Sequence, residues 1–185
     1  MTRIRRNDDV GQPNEPPAEF SAFHRAAEIY CAAIEQREDG DRNALEQHGN
    51  SGLPAYGLRL RGLLADLLAT GYRLPLVEPT TDEPSRVAQE RWNEIFTALQ
   101  DKLQQADLYW SAVGSETPGE PEIVAGSLAD DLSDIWRDLR KGLDALRLGA
   151  PWQDVSWEWR YGLEAHWGTH AAEALRTLHA RHHTS

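Results

Sequence analysis

The chain has 185 residues, 40% hydrophobic and 26% charged, and its 30 acidic and 19 basic residues give a formal net charge of −11. This composition is typical of one folded domain, and a single cysteine, Cys31, excludes an internal disulfide and favours a reducing compartment. The negative charge disfavours nucleic-acid and membrane partners, and no apolar run is long enough to span a bilayer, so we expect a cytoplasmic protein.

The N-terminal region predicts an arm followed by a helix. Residues 1–18 are polar and contain prolines, which predicts a disordered arm ahead of a helical domain over residues 19–181. The first helix is predicted to start at Ala18 or Glu19, because apolar residues recur every three or four positions. These residues are Phe20, Phe23, Ala27, Tyr30 and Ile34. Residues 38–54 predict a loop with one helical turn at Asn43–His48.

The middle of the chain predicts two further helices. One follows Pro54, carries five leucines on one face and ends at Gly71. Its leucines are Leu60, Leu63, Leu64, Leu67 and Leu68. An extended crossing over Leu74–Pro79 separates it from a third helix, predicted from Pro84 to Ala106. Residues 111–126 contain three glycines and two prolines and predict a loop, and no run alternates for long enough to predict a strand.

The C-terminal region predicts two long helices. Ser127 and Asp130 have the spacing of a capping box, which predicts the start of the fourth helix, and Gly149 ends it. Its apolar stripe is Leu128, Leu132, Ile135, Leu139, Leu143 and Leu146. A single last helix is predicted from Gln153 to Arg181. About five amphipathic helices in one domain predict an all-α bundle.

Several motifs in the chain resemble those of a known family. They are Gly126–Leu132, Trp157–Arg160, His166–Ala171 and Leu74–Pro79. Together they resemble uncharacterised bacterial proteins grouped as domain of unknown function 5063, and the resemblance spans Phe20 to His179. It implies a bacterial helical domain, and it carries over no activity, substrate, cofactor or catalytic residue.

Two histidines on the predicted last helix form a candidate metal site. His166 and His170 are four residues apart, which places both imidazoles on one helix face, one turn apart. Both fall within the apolar stripe, where unpartnered polar groups are costly. One interpretation is a bound divalent metal. The alternative, which we favour, is that each ring bonds a neighbouring carboxylate or carbonyl in a structural network.

Acidic residues at the start of the fourth helix can complete that site. Asp131 and Asp134 belong to a D-D-x-x-D string of the kind that holds magnesium in some all-α enzymes, although acids are also favoured at any helix N-terminus. If the last two helices pack antiparallel, Asp131, Asp134, His166 and His170 can meet around a divalent metal. The simpler alternative is that Asp131 or Asp138 accepts a proton from one histidine.

The aromatic residues of the last helix suggest a second candidate site. Trp157, Arg160 and Trp167 can bind a ligand or form an interface, with the arginine holding an anion. The alternative is that these tryptophans are core residues, as most tryptophans at helical spacing are. Trp157 projects away from the apolar stripe, so we expect that residue to face a loop, a partner or solvent.

Two functions follow from these patterns, and the sequence leaves open whether the protein is an enzyme. We favour a non-catalytic binding or regulatory module that engages another protein, because no catalytic motif is complete. The alternative is a metal-dependent, phosphohydrolase-like enzyme that uses the acids and histidines named above. The burial and partners of His166 and His170 discriminate between the two.

Overall fold

The computed structural model describes residues 15–35, 55–80, 88–113 and 120–181. Most of the predicted arm, and the predicted loop over residues 38–54 with its helical turn, lie outside these ranges. Six α-helices and a two-stranded hairpin make up the regular structure within them, so the predicted helical fold class is confirmed. None of the helices in these ranges is both long and apolar enough to cross a lipid bilayer.

The first two helices pack against each other through the stripes that the sequence predicts. Helix α1 spans Ala18–Glu35 and buries all five predicted positions. Helix α2 spans Ala55–Gly71 and ends at the predicted glycine. Its fully buried leucines are Leu60, Leu64 and Leu67. The segment after α2 has no regular structure from Pro75 to Pro79, as expected for a proline-containing crossing.

The third helix is shorter than predicted at both ends. Helix α3 spans Gln89–Leu103, and the backbone of Ala88 is extended, with φ −62° and ψ 137°, so the described helix starts after it. Residues 81–87, where the prediction placed the first turn, lie outside the described ranges. At the other end the chain tightens into one 3₁₀ turn, Gln104–Ala106, before it leaves the helix.

A β-hairpin occupies the region that was predicted to be a loop, and that prediction is wrong. Strand β1, Leu108–Val113, pairs antiparallel with strand β2, Glu122–Ser127. The hairpin lacks the alternation of a half-buried strand because its outer face is also apolar. Leu108, Trp110 and Ile123 are all exposed there. The periodicity that normally reveals a strand is therefore hidden.

Helix α4, Leu128–Arg147, lies at the centre of the fold and contacts α1, α3 and the two C-terminal helices. Its start matches the prediction, since the Ser127 hydroxyl accepts a hydrogen bond from the Asp130 amide at 3.2 Å. Asp107, which the sequence analysis did not single out, adds a second cap by accepting from the Ala129 amide at 2.7 Å. All but the last of the predicted stripe residues are buried.

The predicted single last helix is broken at His166, so that prediction is also wrong. Helix α5 spans Trp152–Ala165 and helix α6 spans Trp167–Arg181, while His166 adopts φ −151° and ψ −84°. The break brings the backbone of Gly168 so close to α5 that a Cβ there would lie 2.0 Å from the carbonyl oxygen of Leu163. Only glycine fits at position 168. A glycine so soon after His166 was the one sequence feature that could have indicated the break.

Candidate metal site

The structure brings the four predicted metal-site residues together on one side of α4. Asp131 and Asp134 lie one turn apart near the start of α4, which packs directly against α6. His166 lies at the break before α6, and His170 lies in the first turn of α6. The two imidazole centroids are 4.9 Å apart, and the ring planes are inclined at 70°. The two rings therefore lie close together, as predicted, although the break means that they do not lie on one continuous helix.

His170 is oriented by Asp131. Its Nδ1 lies 2.8 Å from Oδ1 of Asp131, and because a carboxylate only accepts, Nδ1 carries the hydrogen. The hydrogen bond to Asp131 raises the pKa of His170, and partial burial of the ring opposes that effect. The other carboxylate oxygen of Asp131 accepts from the hydroxyl of Tyr109 at 2.7 Å. The remaining imidazole nitrogen, Nε2, faces the interior of the cluster.

His166 is oriented in the same way by a different carboxylate. Its Nδ1 lies 2.7 Å from Oδ2 of Asp138, one further turn along α4. The second oxygen of Asp138 pairs with the ammonium group of Lys141 at 3.3 Å. The alternative prediction, in which Asp131 or Asp138 binds one histidine, therefore describes real contacts, and both acids make one. Neither contact uses the Nε2 atom of its histidine.

Asp134 lies between the two histidines, and its carboxylate has two different environments. Oδ1 accepts from the Trp92 indole at 2.8 Å and pairs with Arg137 at 3.0 Å. Oδ2 lies 3.6 Å from Nε2 of His166 and 3.7 Å from Nε2 of His170. Both distances exceed a normal hydrogen bond. If both rings are neutral, two imidazole lone pairs face one carboxylate oxygen, and a cation or a proton bound between them would relieve that arrangement.

The donor set fits a small divalent cation. Zinc binds imidazole nitrogen and carboxylate oxygen at about 2.0–2.2 Å, which separates tetrahedral ligand atoms by about 3.4 Å. The Asp134–histidine distances of 3.6 and 3.7 Å are close to that separation. Ligand atoms of Asp134, His166 and His170 all lie within 4.8 Å of one another. Asp131, predicted as a fourth ligand, is placed to orient His170.

The start of α4 concentrates negative charge around this cluster. Burial raises the pKa of Asp130, and the neighbouring charge of Asp134 raises it further. Burial also raises the pKa of the Tyr109 hydroxyl, with its hydrogen bond to Asp131 as the next cause. Both raised pKa values mean that the surroundings disfavour the negatively charged form of the group. A cation at the cluster would reduce the part of both shifts that comes from neighbouring carboxylates, although burial is the largest single cause of each.

Two residues that hold the site were missed by the sequence analysis. Tyr109 reaches Asp131 from strand β1, and its ring lies over Gly126, where a Cβ would come within 2.3 Å of it. Trp92 reaches Asp134 from α3. Gly126 in β2 pairs with Tyr109 in β1. A glycine opposite a tyrosine indicates that the ring lies over it, but this pairing can be recognised only when the strand register is known.

Of the three predicted ligand or interface residues, Trp157 and Arg160 line one small cavity of about 360 Å³, and Trp167 is not part of its wall. Trp167 is fully buried, and its indole donates to the carbonyl of Trp159 at 3.0 Å, so Trp167 belongs to the core. Arg160 donates to the carbonyl of Tyr72 at 2.9 Å and pairs with Glu164. Trp157 alone is exposed, as expected from its position off the stripe.

A cleft of about 1080 Å³ adjoins the metal-site cluster. It runs between α4 and α5, and His166 and Asp138 form part of its wall. Arg137 and Lys141 line the same region. Farther along, the wall carries the carboxylates of Asp154 and Glu158 among mostly apolar and aromatic residues, which are Ala145, Leu148, Ala150, Trp157 and Tyr161. One histidine of the cluster is therefore reached directly from this cleft.

Comparison with known proteins places the chain in a family. The family described as Domain of unknown function (DUF5063) matches residues 14–184. The fold is similar to the crystal structure of protein BF1032 from Bacteroides fragilis, with a TM-score of 0.72 and 20% identity over 91% of this chain and 94% of that chain. That identity supports a shared fold alone. No curated protein matches. Because the family match covers nearly the whole chain, the protein belongs to the DUF5063 family.

Proposed function

We propose that this protein binds one divalent metal ion and uses it for hydrolysis. The ligands are Oδ2 of Asp134 and the Nε2 atoms of His166 and His170. The observation that carries the proposal is the pair of carboxylate–histidine contacts, at 2.7 and 2.8 Å, that turn both Nε2 atoms toward the same aspartate oxygen. Metal-binding histidines commonly bond a carboxylate through the ring nitrogen that does not bind the metal.

The groups around the three ligands support this proposal over a purely structural network. Asp131 and Asp138 orient the two histidines, while Trp92 and Arg137 occupy the other oxygen of Asp134. A structural network would be expected to close through a hydrogen bond to the inner oxygen. That oxygen is instead 3.6 Å or more from both histidine nitrogens.

The donor set and the exposure of the site favour a reactive metal over a structural one. Two imidazoles and one carboxylate suit Zn²⁺, Fe²⁺ or Mn²⁺, and three protein ligands leave coordination positions open. The side chain of His166 is 40% exposed and that of His170 is 25% exposed, so solvent reaches the cluster. A divalent ion there would lower the pKa of a bound water and polarise an ester oxygen.

Metal content tests the proposal directly. Untagged protein is stripped with a chelator, reloaded with Zn²⁺, Fe²⁺ or Mn²⁺ in turn under anaerobic conditions, desalted and assayed for bound metal. We expect one equivalent of the preferred ion and a rise in Tm. The double variant His166→Ala/His170→Ala should lose both. Substoichiometric metal in the reloaded wild-type protein, with no change in Tm, would contradict the proposal.

Two further variants separate a lost ligand from a lost fold. His24→Ala removes a histidine that pairs with Glu28 at 3.7 Å on the surface of α1, and it should retain the metal. Asp134→Asn keeps the size of the ligand side chain and an oxygen for Trp92, and it should retain the fold while losing the metal. Equal metal content in Asp134→Asn and the wild type would exclude the assigned ligand set.

A second candidate function is a non-catalytic module that binds another protein. The observation that favours it is the outer face of the hairpin, where Leu108 is 68% exposed and Trp110 is 72% exposed. Exposed apolar surface of this kind is typical of interaction sites. The metal assay also discriminates between this function and metal-dependent hydrolysis. A protein without metal, whose binding to another protein is lost in Trp110→Ser, would support this second function.

A further inference from the structure

We propose that the cleft between α4 and α5 binds a phosphate monoester that carries a flat ring. The phosphate would lie beside His166, and the ring would lie against Tyr161 and Trp157. This inference rests on the proposed metal site, because the phosphate is placed next to the ion. It names the substrate class on which the proposed hydrolysis acts.

The groups at the His166 end of the cleft can accept an anion once a metal is bound. Asp131, Asp134 and Asp138 supply three negative charges around the histidines. Arg137 pairs with Asp134 at 3.0 Å, and Lys141 pairs with Asp138 at 3.3 Å, so two of these charges are matched. Asp130 adds a fourth carboxylate beside His170, so a divalent ion would bring the cluster close to neutral, and its open coordination positions could accept an anion. Arg137 and Lys141 both line the cleft, where they can also contact a phosphate.

The length of the cleft favours a ligand larger than inorganic phosphate. Arg137, Lys141 and Ala145 succeed one another along one face of α4, Leu148 directly follows its last residue, and all four line the same cleft. At about 1.5 Å per residue, the distance along the helix from Arg137 to Leu148 is roughly 16 Å. The cleft volume of about 1080 Å³ is slightly above the usual range of roughly 300–1,000 Å³ for small-molecule sites.

The aromatic part of the wall favours a flat ring at the far end. Trp157 and Tyr161 are one turn apart on α5 and stack with their centroids 5.3 Å apart and their planes 6° from parallel. Tyr161 is 60% exposed, so the stacked pair retains accessible ring surface. Planar rings of ligands stack on such side chains with little dependence on their substituents. Leu148 and Ala150 extend the apolar wall.

The reaction on such a substrate balances with water alone. A bond forms between the water oxygen and phosphorus, and the bond between phosphorus and the ester oxygen breaks. One proton of the water passes to the leaving alkoxide or phenolate, which departs as the neutral hydroxyl compound. The other remains on the phosphate. No oxidant, reductant or second substrate is needed.

The test uses the full chain, reloaded with its preferred metal and assayed for metal content in the same sample. Benzyl phosphate and adenosine monophosphate carry a flat ring, whereas glycerol 2-phosphate does not, and all three have an aliphatic alcohol as the leaving group. We expect metal-dependent release of phosphate from the first two, with kcat/KM at least about tenfold above that for glycerol 2-phosphate, the factor that one ring-stacking contact can supply.

Matched variants locate the two parts of the ligand. Tyr161→Ala should raise KM for the two ring-bearing substrates about fivefold or more and leave glycerol 2-phosphate unaffected. Its control is Tyr72→Ala, because Tyr72 is 61% exposed but does not line the cleft. Lys141→Met should raise KM for all three substrates about tenfold. Lys102→Met, on α3, serves as its control.

The outcomes separate this inference from the proposed metal site. Protein that holds one equivalent of metal but releases no phosphate from any of the three substrates would overturn the substrate class and leave the metal site standing. Equal kcat/KM on all three substrates, with no effect of Tyr161→Ala, would overturn the ring site. Protein that binds no metal would overturn the proposed function and this inference with it.

Discussion

The two sides of helix α4 satisfy their polar groups in different ways. On the apolar side, polar atoms of neighbouring side chains donate to backbone carbonyls. Tyr30 donates to the carbonyl of Leu132 at 2.9 Å, and the Trp159 indole donates to that of Leu139 at 3.3 Å. On the acidic side, side chains bond side chains, and Oδ2 of Asp134 has two histidine nitrogens beyond hydrogen-bond distance.

This difference separates residues that stabilise the fold from residues that are poised for a ligand. A buried polar group that bonds a carbonyl of its own core is fully satisfied and needs nothing further. A carboxylate oxygen that has two imidazole nitrogens beyond hydrogen-bond distance is held in place by its neighbours without a full partner of its own. Such an arrangement is expected at a functional site, where a ligand supplies the missing interaction.

The largest expected effect is on the apolar side. Trp159→Ala should lower the free energy of unfolding by about 3–5 kcal/mol, because it leaves a large cavity in the core. Denaturant unfolding of the metal-free protein measures it. Trp157→Ala, two residues away and exposed, is the matched control and should cost less than about 1 kcal/mol. Equal losses would contradict the assignment of Trp159 to the core.

The next largest effect is expected on metal affinity, at the acidic side of α4. Asp138→Asn should weaken metal binding about 10- to 100-fold, because an amide stabilises the metal-bound form of His166 less well than a carboxylate does. A competition titration with a metal indicator measures the affinity. Asp154→Asn removes another carboxylate from the same cleft, and its metal affinity should equal that of the wild type. An unchanged affinity in Asp138→Asn would show that its contact with His166 is only structural.

A smaller effect is expected at the hairpin. Tyr109→Phe removes the hydroxyl that donates to Asp131 and should lower the free energy of unfolding by about 1 kcal/mol. Its effect on metal affinity should be smaller than that of Asp138→Asn, because Tyr109 reaches His170 only through Asp131. Thermal and denaturant unfolding measure the first quantity. Tyr72→Phe, at an exposed tyrosine, should change nothing, and a larger effect there would contradict the comparison.

The smallest effect is expected at Cys31, which packs against the apolar side of α4. Burial raises the pKa of its thiol, so the reactive thiolate is suppressed as well as shielded. At pH 8 the folded protein should not react with a colourimetric thiol reagent. In denaturant, each chain should react with one equivalent of the reagent. Fast reaction of the native protein would show that this side of the helix opens readily.

The sequence predicts the helical framework well because its signal is local and repeated. Each stripe on α1 and α4 involves several residues at helical spacing, and the Ser127 cap adds an independent marker. The hairpin was missed because Trp110 and Ile123 make its outer face apolar and so remove the alternation. The break at His166 was missed because the periodicity of the two helices continues across it.

The candidate site was predictable in part for the same reason. The spacing of Asp131, Asp134 and Asp138 places them on one face of α4, and that much follows from the sequence. Which acid bonds which histidine depends on how α6 packs against α4. Trp92 comes from an element distant in sequence, and no local pattern reveals that its indole bonds Asp134.

The helix break at His166 couples the core to the site through two adjacent residues. Trp167 turns into the core, while His166, its immediate neighbour, faces the cleft and Asp138. Gly162 and Gly168 allow this corner, because a Cβ on either would meet Trp167 or Leu163. A substitution that shifts the core at this corner would also displace an imidazole of the site. Stability and site geometry therefore cannot vary independently here, and the corner is a poor choice for changing one without the other.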